Sequence, residues 1–149
     1  MTAKSAPGKT ISTVLIEQWE QAGRKLVALA EAIPENRYDW RPADDLRTVA
    51  DVLRHVAFWN RYAAAIAEGK QADDQANELP RKEFATRTKI LEAVRQSLSD
   101  AAQALRRLQT VDPAAAETVV SFIGHNAEHY GQLAVYARLN AIVPPASRG

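Results

Sequence analysis

The sequence predicts an all-α protein, a single four-helix bundle with a long loop between its second and third helices. Three observations carry that reading. Four stretches repeat apolar residues at helical spacing, no stretch alternates as a half-buried strand does, and the breaks fall at proline, glycine or capping residues. The chain has 149 residues, about one domain's worth. All of 1–149 is expected to form that one domain, with 1–9 as a loose leading tail.

The first helix is expected from about Ile11 to Ile33. Ile11, Leu15, Trp19, Ala22, Leu26, Leu29 and Ile33 fall near one face, and Pro34 stops the run. The connection PENRYDWRPADDLR holds two prolines and turn-forming Asn and Asp. Thr48 is a plausible N-cap for the second helix, which runs to about Glu68 with Gly69 as its stop. The polar stretch GKQADDQANELPR then reads as a flexible crossover loop. A third helix is expected over roughly Arg81 to Leu108, with Phe84, Thr88, Leu91, Leu98, Leu105 and Leu108 inward. Asp112 followed by Pro113 is a cap-then-first-turn pair opening a fourth helix that reaches about Asn140.

Composition narrows the function classes. Apolar content of 46% and charged content of 25% are those of an ordinary globular domain. The formal net charge is +1 and no segment carries a basic run, so nothing recommends a nucleic acid or an anionic membrane as partner. There is no cysteine, which excludes disulfides, a protein thiolate nucleophile and Cys-based zinc sites. The opening MTAKSAPGKT lacks the apolar core of a signal peptide, and no window approaches the roughly 20 apolar residues of a membrane span. A soluble cytoplasmic protein is the expectation.

The chain's three histidines are the main chemical clue. His125 and His129 lie four residues apart on the fourth helix, so both imidazoles leave one face a turn apart. Two ring nitrogens so placed can reach one ion at about 2.0–2.1 Å each. His55 lies mid-way along the second helix among Val52, Phe58, Trp59 and Tyr62, where a facing helix can supply a third ligand. Three histidines leave a position open for water or substrate, and an ion there can acidify water or polarise a carbonyl. An all-nitrogen set suits zinc, nickel, copper or iron rather than magnesium or calcium. Against this, a pair four residues apart also arises in ordinary helices, and a histidine on an apolar face is commonly a packed core residue. His125 is followed by Asn126, so the base of the HExxH metalloprotease motif is missing. On the helical wheel Gln132 and Tyr136 share the face of His125, open to either substrate contact or a structural role. Glu128 sits at its edge, placed either to orient a ligand histidine or to make a surface ion pair.

Two segments carry a family resemblance. AIPENRYDWRPADDLRTVADVLRHVAFWN contains a W-x-P connection at Trp40 and Pro42 together with His55. GHNAEHYGQLAVYARLNAIVPPAS contains His125, His129, the Tyr-Gly-Gln-Leu that follows, Tyr136-Ala137-Arg138 and the closing Pro144-Pro145. With the helix order, the chain is similar over nearly its whole length to the DinB family of metalloenzymes. The resemblance implies an up-down-down-up bundle, a homodimer formed by helix packing, and a metal site at His55, His125 and His129. It implies one divalent ion, nickel or zinc. In some relatives a low-molecular-weight thiol such as mycothiol or bacillithiol serves as cosubstrate. The sequence departs from the family at Asn140-Ala141, where a glycine commonly precedes the Pro-Pro tail, and only the local turn is put in question.

The functional expectation is a metal-dependent enzyme, a thiol-dependent transferase or a hydrolase acting on a small molecule. The alternative is a non-catalytic metal-binding or stress-response protein in which an ion only ties two helices together. No individual catalytic residue is legible, and neither is the substrate.

Overall fold

The computed structural model describes residues 8–108 and 111–149, so most of the expected leading tail lies outside the described residues. Four helices make up the fold: α1 Ile11–Ala32, α2 Val49–Ala67, α3 Arg87–Arg107 and α4 Pro113–Leu139. There is no strand among the described residues, and no helix is long and apolar enough to cross a membrane.

Each helix starts where a side chain can take up a free backbone donor. Thr10, Thr48, Thr86 and Asp112 are the four N-caps, each accepting from the backbone N–H three residues on. The start of α2 is tied further by the preceding connection: the N–H groups of Val49 and Ala50 donate to the carbonyls of Trp40 and Tyr38. Thr86 also explains why α3 begins at Arg87 and not near Arg81 as the periodicity suggested. Residues 80–84 are used as a turn, with Phe84 N–H on the Pro80 carbonyl and the Phe84 carbonyl taken by Arg54 at 2.9 Å. Phe84 therefore packs from the loop beneath Arg61. Two other expected inward residues are exposed: Ile11, at 78%, because α1 starts beyond the packed part of the bundle, and Thr88, whose place inside is taken by Ile90.

At the far end of α4 the turn in question takes shape. Ala141 stands at φ 58, the left-handed conformation that glycine adopts freely, and Ile142 N–H closes back onto the Ala137 carbonyl. An alanine there costs about 1 kcal/mol relative to glycine.

Contacts between helices fix the topology. Trp19 Nε1 donates to the Leu98 carbonyl at 3.0 Å, while Glu20 pairs with Arg106 and Glu31 with Arg95, so α1 and α3 are antiparallel. Arg54, in the first half of α2, reaches the Phe84 carbonyl just before α3, and Glu68 past the end of α2 pairs with Arg107 at the end of α3, so α2 and α3 are parallel. Trp19 and Val119 line one cavity, and further along both helices Lys25 lies over the Tyr130 ring, so α1 and α4 are parallel. The bundle is up-down-down-up, with each of α1 and α2 packed between α3 and α4.

The core is formed by Trp19, Leu26 and Leu29 of α1, Val52, Leu53 and Val56 of α2, Ile90 and Val94 of α3, and Leu133 of α4. One polar pair interrupts it. Asn60 and Asn126 are fully buried, and Asn126 Nδ2 donates to Asn60 Oδ1 at 3.0 Å across α2 and α4. Asn60 Nδ2 and Asn126 Oδ1 have no partner. Such a pair stabilises little by itself, yet removing one member strands the other. Asn126→Leu alone is expected to cost about 1–3 kcal/mol in urea denaturation, with Asn60→Leu/Asn126→Leu recovering most of it. Additive losses in the double variant would show that the two amides do not act as a pair.

Candidate metal centre

The centre lies on the α2–α4 interface, and the crossover between α2 and α3 closes one side of it. Because α2 and α3 run parallel, the chain must travel back along the bundle before α3 can begin. Residues 68–86 make that return beside α2. The loop that the sequence suggested to be flexible is pinned there at several points. Leu79 is buried and its N–H donates to the Arg54 carbonyl. Asp51 holds both Arg54, at 2.7 Å, and Arg81, at 3.1 Å. Burial raises the Asp51 carboxyl, but hydrogen bonds from Arg54 and Thr48 and the charge of Arg81 outweigh it and hold the group below its ordinary value.

The antiparallel pairing of α2 and α4 brings His55 against both histidines of α4. His55 Nε2 lies 3.0 Å from His125 Nε2, and the three ring centroids are 4.5–5.0 Å apart. One nitrogen from each ring can be chosen so that all lie within 4.8 Å of one another, and the group can hold a metal ion. His55 is buried; His125 and His129 are half-buried.

Hydrogen bonds on the outer side of two rings settle which nitrogens face inward. His55 Nδ1 lies 2.6 Å from the Asn77 carbonyl, an acceptor only, so Nδ1 carries the proton and Nε2 presents its lone pair. Gln132 Nε2 donates to Tyr136 Oη at 3.0 Å, which turns Gln132 Oε1 towards His129 Nδ1 at 2.9 Å. Nδ1 of His129 is again the donor, leaving Nε2 free. Tyr136 in turn donates to the Arg47 carbonyl at 3.1 Å, anchoring the chain of bonds at the N-terminus of α2. His125 Nδ1 is buried without a partner.

Two aromatic groups flank the rings. Trp59 stacks on Phe122 at 5.9 Å, and Phe122 meets His125 edge-on. Trp40, from the W-x-P connection, packs edge-on against Tyr136 at 5.5 Å. Asn77 sits at φ 62, a conformation Asn tolerates better than most residues, and its side chain accepts from Trp59 Nε1 at 2.9 Å.

The structure thus brings His55, His125 and His129 together as the sequence suggested. Glu128, weighed as an orienting residue, is exposed and bonded to none of the three. Gln132 does that work for His129. Asn77 and Arg47 escaped the sequence reading. Asn77 lies 22 residues from His55, and only its αL tolerance within a polar loop hinted at a special conformation.

A helical bundle with a histidine-lined centre between two antiparallel helices is the class that fold and site define. A sequence model of the DinB superfamily matches residues 18–133, a span that includes all three histidines, and the chain belongs to that superfamily. No curated protein matches the chain.

Burial pushes the His55 imidazole down to about 4, with the charges of Arg47 and His129 adding to the effect and the Asn77 bond opposing it. Burial likewise brings His125 down to about 3, helped by His129, His55 and Arg47. The unfolded chain takes up protons at these positions from about pH 6.5 downward while the metal-free fold does not. Their contribution to stability is therefore complete above about pH 6.5 and lost progressively as pH falls towards 4 and then 3. Urea midpoints of metal-free protein should decline over that window, ahead of the further loss as Asp51 protonates. In His55→Gln/His125→Gln the decline between pH 6.5 and 4.5 should be much flatter; an unchanged slope would assign it elsewhere.

Proposed function

We propose that this chain is a metal-dependent enzyme acting on a small molecule, with His55, His125 and His129 as the ligands of one divalent ion. The observation that carries the proposal is the convergence of three imidazoles, two of them locked from behind with Nε2 directed inward. Ring nitrogens bound to a common ion at 2.0–2.1 Å lie roughly 3–3.4 Å apart, close to the 3.0 Å between His55 and His125. Burial of His55 and His125 keeps both neutral at physiological pH, the form that ligates. The donor set is nitrogen only, which favours nickel or zinc over hard cations.

Such an ion supplies Lewis-acid activation of water or of a small thiol. The chain's own residues do the rest. Gln132 and the Asn77 carbonyl hold two rings in one tautomer and orientation, while Trp59 and Phe122 screen one side from solvent. No Cys exists in the chain, Asn126 is turned into the core and Glu128 faces solvent, so the α4 motif offers no nucleophile or general base. That favours chemistry in which the nucleophile arrives from outside, and a thiol-dependent transfer fits it. Among the described residues the ligand group holds neither a carboxylate nor a fourth histidine, which favours a reactive centre over a purely structural clamp.

Elemental analysis of untagged protein should find about one equivalent of metal, lost in each of His55→Ala, His125→Ala and His129→Ala. Native protein that carries no metal and binds neither added zinc nor nickel would return these histidines to the role of packed interface residues. A subtler expectation concerns Gln132. Gln132→Leu leaves the three ligands in place but releases His129 Nδ1, and zinc affinity measured by chelator competition should fall about 10–100-fold. Unchanged affinity would mean that the ring is held by packing alone.

A further inference from the structure

We propose that the cavity at the end of the bundle where α2 and α3 finish and α4 begins binds one small, uncharged, apolar molecule the size of a single aromatic ring. None of the three histidines lines it, so the site is independent of the metal centre.

The space arises because three helices bring alanines together there. Ala63 and Ala67 of α2, Ala101 of α3 and Ala115 of α4 line it with Trp19, Leu105 and Val119. Elsewhere in the core the same helices contribute larger side chains: Leu53 and Val56, Ile90 and Val94, and Leu133. The volume left open is about 170 Å³. An apolar cavity of about 150 Å³ stays dry and admits benzene. Trp19, Ala63, Ala101 and Val119 are buried, whereas Ala67, Leu108 and Ala115 are half-buried and mark the side from which a ligand enters.

The chemistry of the wall sets the chemistry of the ligand. Both side-chain donors that line the cavity among the described residues are already spent. Trp19 Nε1 donates to the Leu98 carbonyl, and Thr118 Oγ1 donates to the Ala114 carbonyl. The carboxylate of Asp112 accepts from the Ala115 N–H and belongs to an exposed residue, so it stands at the mouth in water. A water molecule inside would need two to four polar partners, which a wall of alanine, leucine, valine and indole does not supply. A ligand hydroxyl or charge would likewise be stripped of water with nothing to replace it. A hydrocarbon ring has no such loss, and it restores the contacts that an empty space forfeits.

The test uses full-length native protein with toluene, and with phenol, which is nearly the same size but carries a hydroxyl. Calorimetry should show saturable one-to-one binding of toluene, with phenol weaker by about tenfold or more. Nuclear Overhauser contacts should run from the toluene ring to the methyl groups of Ala63, Ala101 and Val119. Toluene should also raise the melting temperature, as a ligand of the native state alone does. Ala101→Leu and Ala115→Leu each fill part of the space from a different helix. Both should abolish toluene binding while keeping the native helix content by circular dichroism. The proposal is overturned by native protein that does not bind toluene, by contacts confined to residues outside the cavity, or by phenol binding as tightly as toluene. Toluene binding that survives in both filled variants overturns it equally. The contacts in native protein decide the matter even where a filled variant does not fold.

Discussion

The parallel run of α2 and α3 governs how the rest of the molecule is arranged. Two parallel neighbours cannot be joined by a short turn, so the chain must travel back along the bundle before the second can start. A segment laid against a helix buries backbone groups that need partners. Here they find them on α2: the Leu79 N–H on the Arg54 carbonyl, the Asn77 carbonyl on His55, the Phe84 carbonyl on Arg54. The Asp51–Arg54–Arg81 cluster clamps the far part of the same segment. What the topology requires as a connection thus becomes the outer support of a histidine.

The α2–α4 interface accepts a loss of apolar packing to hold its polar groups. Three imidazoles and two asparagines occupy positions that aliphatic side chains would fill in an ordinary bundle, and several of their polar atoms lack partners. Asn60 lies five residues past His55 on α2 and Asn126 follows His125 on α4, so the register that the pair imposes is the register that brings His55 to His125. A slip by one residue on either helix would turn its histidines out of the interface by about 100°. Polar pairs that fix one register at some cost in stability are a known use of buried amides.

Much of this was legible in the sequence, and the misses have a common cause. Helix ends were readable wherever a local device marks them: Thr48, Gly69, and Asp112 with Pro113. The start of α3 was misplaced because the apolar spacing of Phe84 fits a helix, while the cap at Thr86 competes for the same stretch and wins. The histidines could be placed on shared faces because helical spacing is a local property. Their supports could not, because the Asn77 carbonyl reaches His55 only through the fold of the crossover, and the bond from Tyr136 to Arg47 joins residues 89 positions apart. The sequence left Glu128 between orienting a histidine and a surface ion pair, and Gln132 between substrate contact and a structural role. The choice between them depends on which side chain a neighbour turns towards the ring, and Tyr136 settles that for Gln132.

Electrostatics and hydrogen bonding push the centre in one direction. Burial and neighbouring positive charge disfavour the imidazolium form of His55 and His125, which leaves their ring nitrogens as lone-pair donors at neutral pH. A site intended to hold charged histidines would surround them with carboxylates, whereas here the side-chain charge from outside the triad that acts on both rings is the cation of Arg47. Environments that suppress ring protonation without an anion suit a ligand set awaiting a cation, because each imidazole is desolvated already and must lose no proton on binding. The same surroundings would leave a bound dication short of negative charge.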